Sequence, residues 1–90
     1  MIYGVYSMRD VKTGFMQPTL EQNDDAAARS FYHAVSTSEG ILFTYASDFF
    51  LFKIGEFDTD SGSLIPCVPV VQVADGAHAL DVIRKESKNA

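Results

Sequence analysis

Hydrophobic and polar positions divide this chain into short alternating runs separated by turn residues. Ile2-Tyr3-Gly4-Val5-Tyr6-Ser7-Met8 is rich in β-formers and predicts a strand. Asp10 to Gly14 carries turn chemistry, and Phe15 to Leu20 predicts a second strand that completes a hairpin. Pro18 has no N–H to give a ladder, which places it at an edge or a bulge. Asn23-Asp24-Asp25 is a helix start: a short polar cap followed by carboxylates that suit the positive end of the helix dipole. From Asp24 to about Ser36, the residues Ala27, Phe31, Ala34 and Val35 recur at helical spacing, with Arg29, Ser30 and His33 mostly opposite. Ser36 to Gly40 ends this helix, with Gly40 available for a left-handed conformation.

The second half repeats this order without a residue-by-residue repeat. Ile41 to Ala46 is apolar and fits either a strand or a buried connector. Phe49 to Phe57 predicts a strand with Phe50, Phe52 and Ile54 on one face and Leu51, Lys53 and Phe57 on the other. Asp58 to Ser63 is a turn, and Leu64 to Val73 returns with Ile65, Cys67, Val71 and Val73 on an apolar face. Pro66 and Pro69 again mark an edge or bulge. Asp75-Gly76 opens a last helix in which Ala79, Leu80, Val82 and Ile83 pack. Arg84, Lys85 and Lys88 suit its negative C-terminal end, and Ser87 to Ala90 is expected to fray. The expectation is one α+β domain over residues 1–90. Its antiparallel sheet has about four to five strands from two hairpins, each followed by a helix (ββα-ββα), with the helices on one face.

Charge narrows the functional classes. Seven Lys and Arg face twelve Asp and Glu, a formal net charge of −5. That balance disfavours duplex binding by broad phosphate neutralisation, which needs several clustered cations. At 47% hydrophobic and 21% charged, the chain is too apolar for a disordered tail. It has no run approaching the ~20 apolar residues of a membrane helix, and no basic region ahead of its first apolar residues as in a signal peptide. No membrane association is expected. Cys67 is the only cysteine, which excludes an intramolecular disulfide, fits a reducing cytoplasm, and in its apolar setting reads as a buried, inert thiol.

Catalytic patterns are lacking. Asp58-Thr59-Asp60-Ser61-Gly62 has the composition of a calcium loop, but its Gly falls one place early and Pro69 stands where the bidentate Glu belongs. His33 and His78 have no second His one turn away, so metal ligation is not expected. There is no nucleophile elbow and no glycine-rich phosphate loop. Glu56, Asp58 and Asp60 read as a solvated turn. A non-catalytic protein without a cofactor is expected.

Binding remains. Eleven aromatics (seven Phe, four Tyr) are a generous supply for 90 residues. Either the core is unusually aromatic or rings lie on an exposed functional or oligomeric face, the latter favouring a homodimer. Single-stranded nucleic acid is held by base stacking at ~1–3 kcal/mol per base, supported by a few cations. Tyr3, Tyr6, Phe50 and Phe52 lie on predicted strands, with Arg9, Lys12 and Lys53 on or beside the hairpins. Core rings and solvated cations account for the same residues, and the pattern alone leaves both open.

Two segments resemble a known family. Gly14 to Asp24 (GFMQPTLEQND) with Ala28-Arg29-Ser30-Phe31, and Ile54 to Leu64 (IGEFDTDSGSL) with Pro66-Cys67, are similar to the small nonstructural protein of gokushoviruses. These are tailless single-stranded-DNA phages of the microvirus group. The resemblance covers about Ile2 to Val73. It implies a DNA-binding protein acting in genome replication or hand-over to packaging, present in the cytoplasm of the infected bacterium and absent from the mature virion. It supplies no binding residues. The site expected from rings and cations is a sheet face bearing Tyr3, Tyr6, Arg9, Lys12 and Lys53, in a homodimer binding single-stranded DNA with modest affinity. The alternative is an interaction module contacting phage or host replication or assembly proteins without touching DNA.

Overall fold

The structure, a computed structural model, describes residues 1–88, with side chains described through Ile83. The basic group Arg84, Lys85 and Lys88 therefore lies outside the described side chains; of the segment Ser87 to Ala90 expected to fray, Ser87 and Lys88 still belong to the last helix, and Asn89 and Ala90 lie outside the described residues. The chain forms β1 (Ile2–Asp10), β2 (Gly14–Phe15), β3 (Thr19–Glu21), α1 (Asp24–Thr37), α2 (Ile41–Thr44), a 3-10 turn (Ala46–Asp48), β4 (Phe49–Asp58), β5 (Leu64–Asp75) and α3 (Gly76–Lys88). One antiparallel sheet runs β2-β1-β4-β5, with β3 also pairing to β1 beside β2. The α+β class holds.

The strict ββα-ββα order does not. The expected strand Phe15–Leu20 divides in two, because Arg9 pairs with Phe15 but Val5 pairs with Leu20, which leaves one residue too many for a continuous ladder. Met16, Gln17 and Pro18 take up the excess, and buried Ser7 donates its hydroxyl to the Met16 carbonyl at 2.7 Å to hold them. The ambiguous Ile41–Ala46 is helical and pairs with no strand. Gly40 precedes α2 in an extended conformation at φ −109°, and the left-handed glycines are Gly14 and Gly62, both in hairpin turns.

The two main helices form as their sequence dictates. Asn23 caps α1 by accepting from the Ala26 N–H at 2.8 Å, and Asp75 caps α3 by accepting from the His78 N–H at 2.7 Å. Ala27, Phe31 and Val35 of α1 are buried on the sheet with Tyr6, Phe49, Leu51, Ala74 and Ala79. Fully burying a Phe, Val or Leu side chain stabilises by ~1.5–3 kcal/mol, so this layer carries much of the fold. Gly76 lets α3 start directly against the 3-10 turn, since a Cβ there would overlap the Ala46 carbonyl.

Tyr6 is the largest fully buried side chain. Its hydroxyl donates to Asp24 Oδ1 at 2.6 Å, fastening the first turn of α1 to the central strand. Its ring covers Gly4, where any Cβ would strike it. Burial, and then the bond to Asp24, push the Tyr6 hydroxyl well above its ordinary value near 10.

Two stability predictions follow from these contacts. Gly76→Ala should cost ~1–3 kcal/mol, since the overlapped atom is backbone and α3 must shift. Thermal melting should fall by roughly 4–8 °C per kcal/mol in a domain this small. Tyr6→Phe should cost ~1–2 kcal/mol at neutral pH for the lost bond to a carboxylate. Tyr6 holds its proton in the folded chain above the pH at which the unfolded chain releases it. Its contribution is therefore complete below about pH 10 and is lost as pH rises further. Melts at neutral pH and above pH 10 should show a steeper alkaline loss for the native chain than for Tyr6→Phe.

Candidate functional site

Alternation along β1 sorts its side chains onto two faces. Gly4, Tyr6 and Met8 point to the helices, while Tyr3, Val5, Ser7 and Arg9 point away. The helices α1 and α3 pack on one side; among the described residues no helix covers the other, where Val5 and Ser7 are nonetheless buried and Ser7 bonds the Met16 carbonyl. The residues expected to form one site are thereby divided. Tyr3 and Arg9 lie on the open face. Tyr6 is buried under α1 at 1% exposure and offers no ring to a ligand. Lys53 pairs opposite Tyr6 on the helix side, where its Nζ lies 3.3 Å from Glu56 Oε1 in a groove also lined by Asp24 and Asp25. That groove is acidic overall and repels a phosphate. Lys12 stands exposed in the β1–β2 turn, its N–H held by Asp10 Oδ1 at 2.9 Å. A single face bearing all five residues does not exist.

The open face carries a different set. Arg9 pairs with Phe15 on one side and Phe50 on the other, and its guanidinium lies 5.6 Å from the Phe15 ring centroid. Phe15 meets Phe52 edge-on with centroids 5.6 Å apart. Toward the other end of β1, Tyr3 pairs with Phe57. The face thus has a ring cluster around one cation, then a second pair of rings. Between them runs an open apolar groove of about 470 Å³ lined by Val5, Pro18, Leu20, Ile54, Phe57 and Leu64. Phe15 is half exposed, and Tyr3, Phe50, Phe52 and Phe57 are partly buried.

Phe57 reaches this face through a bulge. Strict alternation puts it with Leu51 and Lys53, but Val5 pairs with Gly55 while Tyr6 pairs with Lys53, so β4 carries one extra residue, Ile54. Residues beyond Ile54 change sides. On the other flank of β4, Lys53 pairs with Val71 and Gly55 with Pro66, so Cys67 to Val70 bow out around the same point. Consequently Cys67 is half-buried at the sheet edge, not enclosed, and the expected apolar face of β5 is interrupted. Position parity in β1 already separates Tyr3 and Arg9 from Tyr6. Phe15 becomes visible once the hairpin register is known, whereas no local signal announces the bulge at Ile54.

The remaining candidates have structural surroundings. Asp58 to Ser63 is a hairpin turn closed by the Asp58 N–H donating to the Ser63 carbonyl at 3.0 Å. The Asp60 N–H donates to Asp58 Oδ1 and holds that carboxyl below its usual range. His78 packs its ring edge-on against Tyr32 at 5.8 Å. Among the described residues, no three His, Cys, Asp or Glu side chains converge as metal ligands, and no helix is long and apolar enough to cross a membrane.

Comparison with known proteins agrees with a phage source. The family described as Phage ORF5 protein matches residues 3–79, spanning β1 to the start of α3. No curated protein and no solved structure matches the chain. The chain belongs to the Phage ORF5 protein family.

Proposed function

We propose that this phage protein is a non-catalytic binder of single-stranded DNA, and that the strand lies across the open sheet face. The observation that carries the reading is the set of Phe15, Phe50 and Phe52 beside Arg9, with Tyr3 and Phe57 farther along the same face, on the side of the sheet opposite the helices. Sheet faces of this kind stack about two or three bases. At ~1–3 kcal/mol per base, that supplies a few kcal/mol once ordering costs are met. Arg9 provides one phosphate contact, with its orientation held by the Phe15 ring, and Lys12 at the end of the same hairpin can supply a second. The resemblance to the nonstructural protein of gokushoviruses supports the same role, in genome replication or hand-over to packaging within the cytoplasm of an infected bacterium.

A second reading is favoured by one specific observation. The groove at Leu20, Ile54, Phe57 and Leu64 is apolar and lacks a cation, which suits a protein side chain better than a phosphodiester. On that reading the chain contacts replication or assembly proteins instead of DNA. Nuclease-insensitive recovery of a partner, lost on Leu64→Asp, would favour it.

Fluorescence anisotropy with a labelled oligonucleotide separates the two. Each phosphate neutralised on a single strand gives a salt slope of ~−0.7, so one or two contacts predict only a three- to sevenfold loss between roughly 50 and 200 mM salt. Phe15→Ala should weaken binding by about five- to a hundredfold, and Arg9→Ala should flatten the salt dependence. Lys53→Ala and Arg29→Ala, on the helix side, should leave affinity unchanged. Absence of binding by the folded protein at low salt would end the DNA reading.

A further inference from the structure

β5, twelve residues long, is an edge strand: among the described residues only β4 pairs with it. From Leu64 to Ala74 it contains no charged residue. Exposed edges in monomeric proteins are ordinarily short or guarded by charge, because unpaired backbone and apolar side chains together recruit another chain. Here Leu64, Ile65, Val68 and Val71 are between 51% and 88% exposed. Pro66 and Pro69 lack an N–H and prevent one long ladder, which confines backbone pairing to the proline-free stretch Val70–Ala74 and leaves the rest of the contact to side chains.

The chain's total surface is large enough to accommodate a partner. A folded monomer of 9.9 kDa exposes about 5,200 Å² by the usual mass scaling, whereas this chain exposes 6003 Å². Its radius of gyration is 13.9 Å, against about 12 Å for a compact chain of this length. The surplus of roughly 800 Å² equals what one partner contributes to a standard interface. A second copy is the occupant that an uncharged edge on a chain of net charge −5 accommodates best, since the contact brings no acid against an acid. Two open faces meeting would instead bury Arg9 of each copy, which an uncharged edge avoids.

We propose that the protein is a two-fold dimer in which β5 packs antiparallel against β5 of a second copy through Val68, Val70 and Val71. This arrangement holds whether or not the open face takes DNA. Light scattering on the full chain should give twice the 9.9 kDa mass. Val68→Asp and Val71→Asp should each raise the dimer dissociation constant at least a hundredfold, with circular dichroism unchanged, since both side chains are mostly exposed. Hydrogen exchange of the unmutated chain gives an independent readout: amide protection over Val70–Ala74 should rise with protein concentration. A single-chain mass for the native protein at high micromolar concentration would overturn the proposal. So would a dimer that survives both edge substitutions but is lost in Phe15→Asp, protection independent of concentration, or growth into open-ended oligomers.

Discussion

Everything distinctive about this molecule descends from the burial of Tyr6 beneath α1. The bond from its hydroxyl to Asp24 ties the start of α1 to the middle of the central strand, and its ring fills the space above Gly4. With that side chain fixed inward, the two-residue period of β1 leaves no freedom for its neighbours. Tyr3, Val5 and Arg9 must face outward, and a one-residue slip would bury Arg9 while exposing Tyr6. The cap at Asn23 and the carboxylates that follow then belong to the helix side, as does Lys53, which pairs across from Tyr6.

This sorting changes the meaning of the negative charge. Asp24, Asp25 and Glu56 all line the helix-side groove, and Asp58 and Asp60 are engaged in the β4–β5 turn. On β1 and β4 the side chains directed to the open face are rings, aliphatics, Ser7 and Arg9, and across from Phe52 and Phe50 β5 brings Gln72 and Asp75, the latter engaged in capping α3. Net acidity therefore opposes a polyanion at long range, but the field is screened over about 10 Å in ordinary salt, and Asp75, the carboxylate paired across from Phe50, is engaged by the His78 N–H. On the proposed reading, rings would carry the contact and charge would have a subordinate role.

Much of the architecture is legible in the chain, and the failures have local causes. The α1 stripe, both helix starts, the β4–β5 turn and the α+β class follow from periodicity and capping, where each signal is confined to a few neighbouring residues. Pairing register is less accessible because it depends on residues far apart. The break at Met16–Pro18 requires knowing that Val5 meets Leu20, and the migration of Phe57 requires knowing that Val5 and Tyr6 skip Ile54. The expected site suffers for the same reason. Assembling Tyr3, Tyr6, Arg9, Lys12 and Lys53 on one face ignores the parity of β1 and the pairing of β4.

Open face and free edge bear on one another through sheet geometry. When two antiparallel edges meet about a two-fold axis normal to the sheet, both helix layers fall on one side and both open faces on the other. An edge-to-edge dimer would thus place two ring clusters on one continuous surface, offset by the twist of roughly 20–25° between adjacent strands. A site that stacks only two or three bases is weak alone, because the cost of association is spread over few contacts. Two such sites on a shared surface convert the second engagement into an intramolecular step, which raises avidity without any new contact type. On the two proposals together, an acidic chain with one cation among its rings would hold a long strand through two light grips rather than one strong one.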